Sequence, residues 1–265
     1  MTDMTTDAHV LTNQYSEPSR LVARQAIWQW RRGPALPDVV LDLAAARGDE
    51  VVADVGCGNG RLLEALRGRG HTGPLLGLDR SPGMARVSAG YGFGAAADAQ
   101  ALPLRDASVD VALCLHMLYH VPDIGRAVAE LRRVVRRGGT TVVATNDVGH
   151  AAEIRAIRSQ AARTVLGVDV DLDWSDSRFN TDIARTALAA AFDEVHVHQH
   201  VGTSVVPDPA PVRAYVASWP PETLGLTAGP TWHAVLAEAD RLIAAHFAAR
   251  PTFPVTSRAA VLTCR

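Results

Sequence analysis

Short apolar runs alternate with longer amphipathic stretches through the first half of the chain. Residues 51–55, 75–79 and 109–115 are rich in Val and Leu, and turn residues bound each run. Continuous apolar runs of this length read as strands buried on both faces. Between them, residues 37–47 and 61–67 and the stretch opened by Ser81-Pro82 have helical spacing. The pattern predicts a helix over 124–136, with Asp123 as its N-cap and Gly138-Gly139 as its stop, then a fifth strand over 140–145. Strands alternating with helices imply a parallel, doubly wound α/β sheet.

The flanking segments read differently. In residues 10–32, Ala23, Ala26, Ile27 and Trp30 fall on one helical face, and Gly33-Pro34 ends the pattern. Helices are predicted over 151–165, 181–191, near 211–218 and over 230–249, and strands over 194–201 and 255–264. The expected organisation is a single domain over 1–265. Residues 1–47 form a helical lid and 48–145 a cofactor-binding core. Residues 146–180 and 202–254 are helical cap insertions, and 181–201 and 255–265 return to the core.

Asp54-Val55-Gly56-Cys57-Gly58-Asn59-Gly60 closes the first strand. Glycines there permit positive φ and let a ligand approach the backbone. The helix that follows offers free N–H groups. The spacing is G-x-G-x-G, and Arg61 stands where the third glycine of the dinucleotide fingerprint belongs, which counts against a nicotinamide-dependent oxidoreductase. Asp79, nineteen residues beyond Gly60, ends the second strand where a carboxylate accepts hydrogen bonds from ribose hydroxyls.

These residues, with Asp98-Ala99-Gln100-Ala101-Leu102-Pro103 and the segment from His116 to Asp123 after the fourth strand, resemble the class I S-adenosylmethionine-dependent methyltransferases of the type 11, small-molecule group. The resemblance implies a Rossmann-like, seven-stranded sheet, parallel except for an antiparallel last strand, with a helical lid and insertions. It implies S-adenosylmethionine as cofactor and S-adenosylhomocysteine as product. Asp54, Gly56, Cys57, Gly58, Asn59 and Gly60 would hold the methionine end, Asp79 the ribose and Asp98 the adenine. Arg80, Met84, Ala99, Leu115 and the backbone of His116 would line the cofactor, and Tyr15 and Arg24 would reach its carboxylate.

Methyl transfer needs alignment and exclusion of water more than a fixed catalytic group. His116 and His120 are the candidate general bases: they follow the fourth strand, at the ligand-binding ends of the sheet, and share a face if the segment is helical. The alternatives are a backbone contact for His116 and a packing role for His120. All five tryptophans (Trp28, Trp30, Trp174, Trp219, Trp232) lie in the N-terminal segment or the insertions. Tyr119, His120, Trp174 and Trp219 are accordingly the expected lining for a small apolar or aromatic acceptor, methylated on O, N or C in natural-product biosynthesis. Each tryptophan could instead anchor its own helix. A protein of this fold with a non-methylation or regulatory role would carry the same cofactor motifs.

Composition narrows the field. A net charge of −2 over 265 residues, with no basic run, argues against a nucleic-acid partner. No apolar run approaches the ~20 residues of a membrane span, and residues 1–9 lack the form of a signal peptide. Three scattered cysteines read as reduced thiols of a cytoplasmic protein, a monomer or homodimer. His196, His198 and His200 share a strand face, but no opposing ligands are evident, so an exposed face and no metal are expected. Asp169, Asp171 and Asp173 begin like a calcium loop, but Trp174 and Asn180 occupy the positions that need Gly and Glu.

Overall fold

The computed structural model describes residues 18–170 and 178–265, so Tyr15 and Trp174 lie outside the described residues. Its elements are α1 (Pro18–Ala26), a 3-10 turn (Ile27–Trp30), α2 (Leu36–Ala44), β1 (Val52–Val55), α3 (Arg61–Gly68), β2 (Leu75–Asp79), α4 (Pro82–Ser88), β3 (Phe93–Ala96) and β4 (Val109–Leu115). A second 3-10 turn (Leu118–His120), α5 (Ile124–Val134), β5 (Val135–Asn146), α6 (Ala152–Leu166), α7 (Thr181–Ala189) and β6 (Val195–Val206) follow. The chain continues with α8 (Pro209–Ala217), a 3-10 turn (Pro221–Leu224), α9 (Pro230–Ala249) and β7 (Phe253–Cys264).

The chain divides into two compact units. The sheet unit takes residues 34–147, 178–200 and 259–265; the helical unit takes, of the described residues, 18–33, 148–170 and 201–258. Helix α2, expected in the N-terminal lid segment, is part of the sheet unit.

The seven strands run in the order β3-β2-β1-β4-β5-β7-β6. β1 to β5 are parallel neighbours, and β7 pairs antiparallel with β5, Asn146 against Ala259 and Thr141 against Cys264. This is the seven-stranded, doubly wound sheet expected, and both faces are covered. Ala53, Ala112, Cys114 and Val143 meet α5 and α7 through Val128, Leu131 and Leu188. Their strand neighbours Val52, Val111, Leu113 and Val142 meet α2 and α3 through Leu41, Leu63 and Leu66. Two covered faces explain why these strands read as unbroken apolar runs rather than as alternation.

Side-chain caps set the helix starts. Ser81 Oγ accepts from Met84 N at 3.4 Å, and Asp123 Oδ1 from Arg126 N at 2.9 Å. Asn180 Oδ1 accepts from the N–H groups of Asp182 and Ile183 at 3.1 Å each. Each satisfies a donor the helix itself cannot.

Three elements depart from expectation. α5 stops at Val134, and Gly138-Gly139 lie inside β5 rather than ending a helix. The reason is close backbone approach: a Cβ on Gly139 would sit 2.6 Å from the Asp110 carbonyl oxygen, and Gly138 has φ +78°. The register against β4 shifts there, from Val109 facing Val135 to Val111 facing Thr140. β3 has no apolar run to announce it; it is built from Phe93, which is 61% exposed, Gly94 and two alanines. β6 runs on to Val206, and its histidines do not share one exposed face: His196 is exposed and His198 half-buried, but His200 is buried.

In the helical unit, Ile154, Ile157 and Ala161 of α6 pack with Trp232, Val235, Ala239 and Ile243 of α9 and with Val212 and Tyr215 of α8. No described helix is long and apolar enough to cross a membrane.

Candidate functional site

The carboxyl ends of β1, β2 and β4 meet in the sheet unit, and the glycine loop lies at their centre. Gly56, Gly58 and Gly60 all have left-handed φ, +76°, +52° and +78°. Gly56 N donates to Leu78 O at 2.7 Å and Cys57 N to the same oxygen at 3.1 Å, which ties the loop to β2. A Cβ on Gly56 would meet Met117 Cγ at 2.6 Å, so the glycine lets the segment after β4 close over the loop. A Cβ on Gly60 would meet the Tyr91 ring at 2.9 Å. Asn59 is half-buried within the loop.

Two carboxylates flank the loop. Asp54 is 2% exposed, and burial, with Asp79 adding to it, pushes its carboxyl from 3.8 up to about 7. Burial also raises Asp79, opposed by two backbone donors: Ser81 N reaches Oδ1 at 2.8 Å and Gly58 N reaches Oδ2 at 2.9 Å. Asp79 thus braces the glycine loop as well as ending β2. Burial and then Asp54 push the Cys57 thiol well above its ordinary range, so it is inert packing rather than a nucleophile.

The other predicted cofactor residues surround this centre. Ala97 N donates to Asp79 O at 2.9 Å, and Asp98 lies two residues past β3. Asp98 is exposed; although burial works against it, hydrogen bonds from Gln100 and the charges of Arg80 and Arg126 hold its carboxyl below the usual range. Gln100 Oε1 accepts from Asp123 N at 3.1 Å and so links this loop to the segment after β4. Met84 and Ala99 are buried, Leu115 is half-buried and Arg80 is exposed.

His116 has φ +52°, a left-handed conformation rare outside glycine. Its N–H donates to Ala144 O at 2.8 Å, and its Nδ1 is sealed from solvent with no partner. Burial, with His200 adding to it, lowers its pKa from 6.5 to about 4, so the ring is neutral at physiological pH. Tyr119 and His120 follow in the 3-10 turn, with ring centroids 4.5 Å apart and edge-on. Arg178 donates to the carbonyls of Val121, at 2.8 Å, and Pro122, at 3.3 Å, and steadies this segment.

Sequence reasoning missed His200 and Asn146. His200 was hidden by its apparent strand face. Asn146, the last residue of β5, has a buried Oδ1 with no partner; the signal was a polar residue just past an apolar run at a ligand-binding strand end. Arg24 and Trp219 belong to the helical unit, where the Arg24 guanidinium lies 5.0 Å from the Trp219 ring centroid. Among the described residues no three His, Cys, Asp or Glu side chains converge as a metal site.

Three left-handed glycines, a buried acid at the end of β1 and a second acid at the end of β2 meet at one end of the sheet, the arrangement expected of a class I methyltransferase. Residues 53–143 match the family described as methyltransferase domain. Residues 53–143 thus carry a class I S-adenosylmethionine-dependent methyltransferase domain, and S-adenosylmethionine is the cofactor of that family. The chain is 34% identical over 113 residues to a ubiquinone biosynthesis O-methyltransferase of Thiobacillus denitrificans, covering 40% of this chain and 48% of that one. It is 32% identical over 177 residues to a malonyl-[acyl-carrier protein] O-methyltransferase of Geobacter sulfurreducens, covering 61% and 65%. The chain therefore spans less than two thirds of the length of these relatives. Among solved structures, a protein of Anaeromyxobacter dehalogenans described as a candidate type II methyltransferase superposes with a TM-score of 0.62 at 25% identity, covering 89% of this chain and 97% of that one.

The residues fit the cofactor. The loop is free of Cβ atoms at its three left-handed positions, and a buried acid suits the cationic methionine end.

Proposed function

We propose that this protein transfers the methyl group of S-adenosylmethionine to a small-molecule acceptor. The observation that carries the reading is the meeting of buried Asp54, the three left-handed glycines and Asp79 at one end of the sheet. When bound, S-adenosylmethionine supplies an electrophilic methyl group on a sulfonium. Asp54 would face that cationic end, with Cys57 and Asn59 in the loop around it. Asp79 would take the ribose hydroxyls with the lone pairs its backbone donors leave, and Asp98 the adenine. Arg80, Met84, Ala99 and Leu115 would line the cofactor, and Tyr15 and Arg24 carry over from the family pattern as partners of its carboxylate.

His116 would act as a base in its neutral form. A base with a pKa of about 4 is weak, which suits an acceptor group that ionises easily rather than an alcohol. Tyr119, His120, Trp174 and Trp219 are the proposed acceptor lining, and an apolar or aromatic acceptor methylated on oxygen fits them. The relatives named as a ubiquinone biosynthesis O-methyltransferase and a malonyl-[acyl-carrier protein] O-methyltransferase support that choice. A role in natural-product biosynthesis and a cytoplasmic site belong to the same reading.

The test is calorimetric titration with S-adenosylmethionine, S-adenosylhomocysteine and NAD, on wild type and Asp79→Ala, followed by a mass-spectrometric screen of phenolic and acidic acceptors. Binding of both adenosyl ligands, lost in the variant, and one added methyl group on an acceptor are expected. Binding of NAD alone, or methyl transfer only to RNA, would overturn the reading. Turnover of an acceptor to a product of unchanged mass would establish the non-methylating alternative instead.

A further inference from the structure

Helix α6 carries an arginine at a position where charge is costly. Arg158 is 4% exposed, in the interior of the helical unit. One terminal N–H donates to Thr223 Oγ1 at 2.9 Å. Its Nε is sealed from solvent and has no hydrogen-bond partner. The guanidinium carbon lies 5.3 Å from the Trp219 ring centroid, and the Arg24 guanidinium approaches the same ring at 5.0 Å. Arg24 is itself 9% exposed. Two cations thus share one aromatic ring, and among the described residues no carboxylate pairs with Arg158.

A buried guanidinium is ordinarily matched by a carboxylate, because it loses its hydration on burial. Cation–π contact with Trp219 and one hydroxyl acceptor replace only part of that hydration. Burial brings the Arg158 pKa down to about 10, with Tyr215 pulling the other way and Arg24 adding to the fall, so the side chain remains cationic at neutral pH. The cluster has positive charge, spare donors in a planar fork and aromatic walls from Trp219 and Tyr215. What would complete it is a small oxyanion on an apolar or aromatic body.

We propose that Arg158 anchors a carboxylate-binding site within the helical unit, walled by Trp219 and Tyr215 and assisted by Thr223 and Arg24, for a small organic acid. The inference rests on the proposed function only in taking that acid to be the acceptor. The guanidinium fork binds the carboxylate edge-on, Thr223 orients the fork, and the aromatic walls accept the body of the ligand.

The test is titration of the full-length protein at low salt with benzoate, inorganic phosphate, S-adenosylhomocysteine and methylthioadenosine, on wild type, Arg158→Met and Arg158→Lys, with melting temperatures of each protein alone. Benzoate should bind wild type, and its affinity should fall about tenfold or more in Arg158→Met. It should fall less in Arg158→Lys, which keeps the charge and loses the fork. The unliganded Arg158→Met protein should melt no lower than wild type, because the site without its anion carries an unmatched charge. Equal benzoate affinity in all three proteins overturns the proposal, as does a preference for phosphate over benzoate. A fall in the melting temperature of Arg158→Met without ligand assigns the arginine to structure and overturns it too. Loss of S-adenosylhomocysteine affinity in Arg158→Met with methylthioadenosine unaffected would mean that the guanidinium holds the cofactor's own carboxylate. Intact S-adenosylhomocysteine binding with no benzoate binding defeats this inference alone and leaves the methyltransferase reading standing.

Discussion

Asp54 offers the sharpest quantitative test of the site. Its carboxyl is raised from 3.8 to about 7 in the folded protein by burial and by Asp79. The native state therefore holds a proton that the unfolded chain has released, and stability falls as pH rises through the window between those values. With these two values, linkage puts the cost at about 1.7 kcal/mol at pH 5 and about 4 kcal/mol at pH 8. Asp54→Asn removes the titration but keeps the shape. Its stability relative to wild type should therefore improve by about 2.5 kcal/mol between pH 5 and pH 8. Comparing the two pH values cancels any pH-independent effect of the amide. Urea unfolding of both proteins at the two pH values measures this directly. A stability difference that is the same at both pH values, or more favourable to the variant at pH 5, would refute the reasoning. The same substitution should weaken S-adenosylmethionine binding, which calorimetry would read: the acid is retained at the expense of the empty protein's stability.

Three further outcomes follow from the geometry. Gly56→Ala places a Cβ against Met117 at a left-handed φ, and should cost about 2–4 kcal/mol of stability by urea unfolding or, if the loop shifts instead, most of the S-adenosylhomocysteine affinity. His116→Gly relieves a left-handed conformation and should raise stability by about 1 kcal/mol while lowering turnover, and the wild-type pH–rate profile should show its acid limb near pH 4 rather than 6.5. Asn180→Ala removes the cap of α7 and should cost about 1 kcal/mol in the same unfolding assay with cofactor affinity unchanged.

The parts of the fold that were legible are those where local pattern and tertiary environment agree. β2 and α9 fall where their spacing placed them, and the glycine loop announced itself because three glycines at alternate positions mark a turn that needs repeated positive φ. The misses have identifiable causes. Gly138-Gly139 looks like a helix stop because glycine usually serves as one, but here the pair admits the Asp110 carbonyl across a shifted register, a contact between residues far apart in sequence. β3 carries no apolar alternation because small residues suffice at a sheet edge. His200 was indistinguishable from His196 and His198 by spacing; burial, which spacing does not report, separates them. Arg158 gave no signal at all, since an arginine among the polar residues of an amphipathic helix reads as solvated.

The position of β7 bears on how the chain is made. It lies between β5 and β6, and its residues 259–264 complete the hydrogen-bonding edge of β5. A ribosome delivers β5 and β6 first, and each waits with an open edge until everything through α9 has emerged. Those edges invite pairing with other nascent chains, and closing the sheet across so long a separation in sequence is slow. Truncations near residue 259 would therefore strike an inner strand of the sheet rather than trim a loose tail.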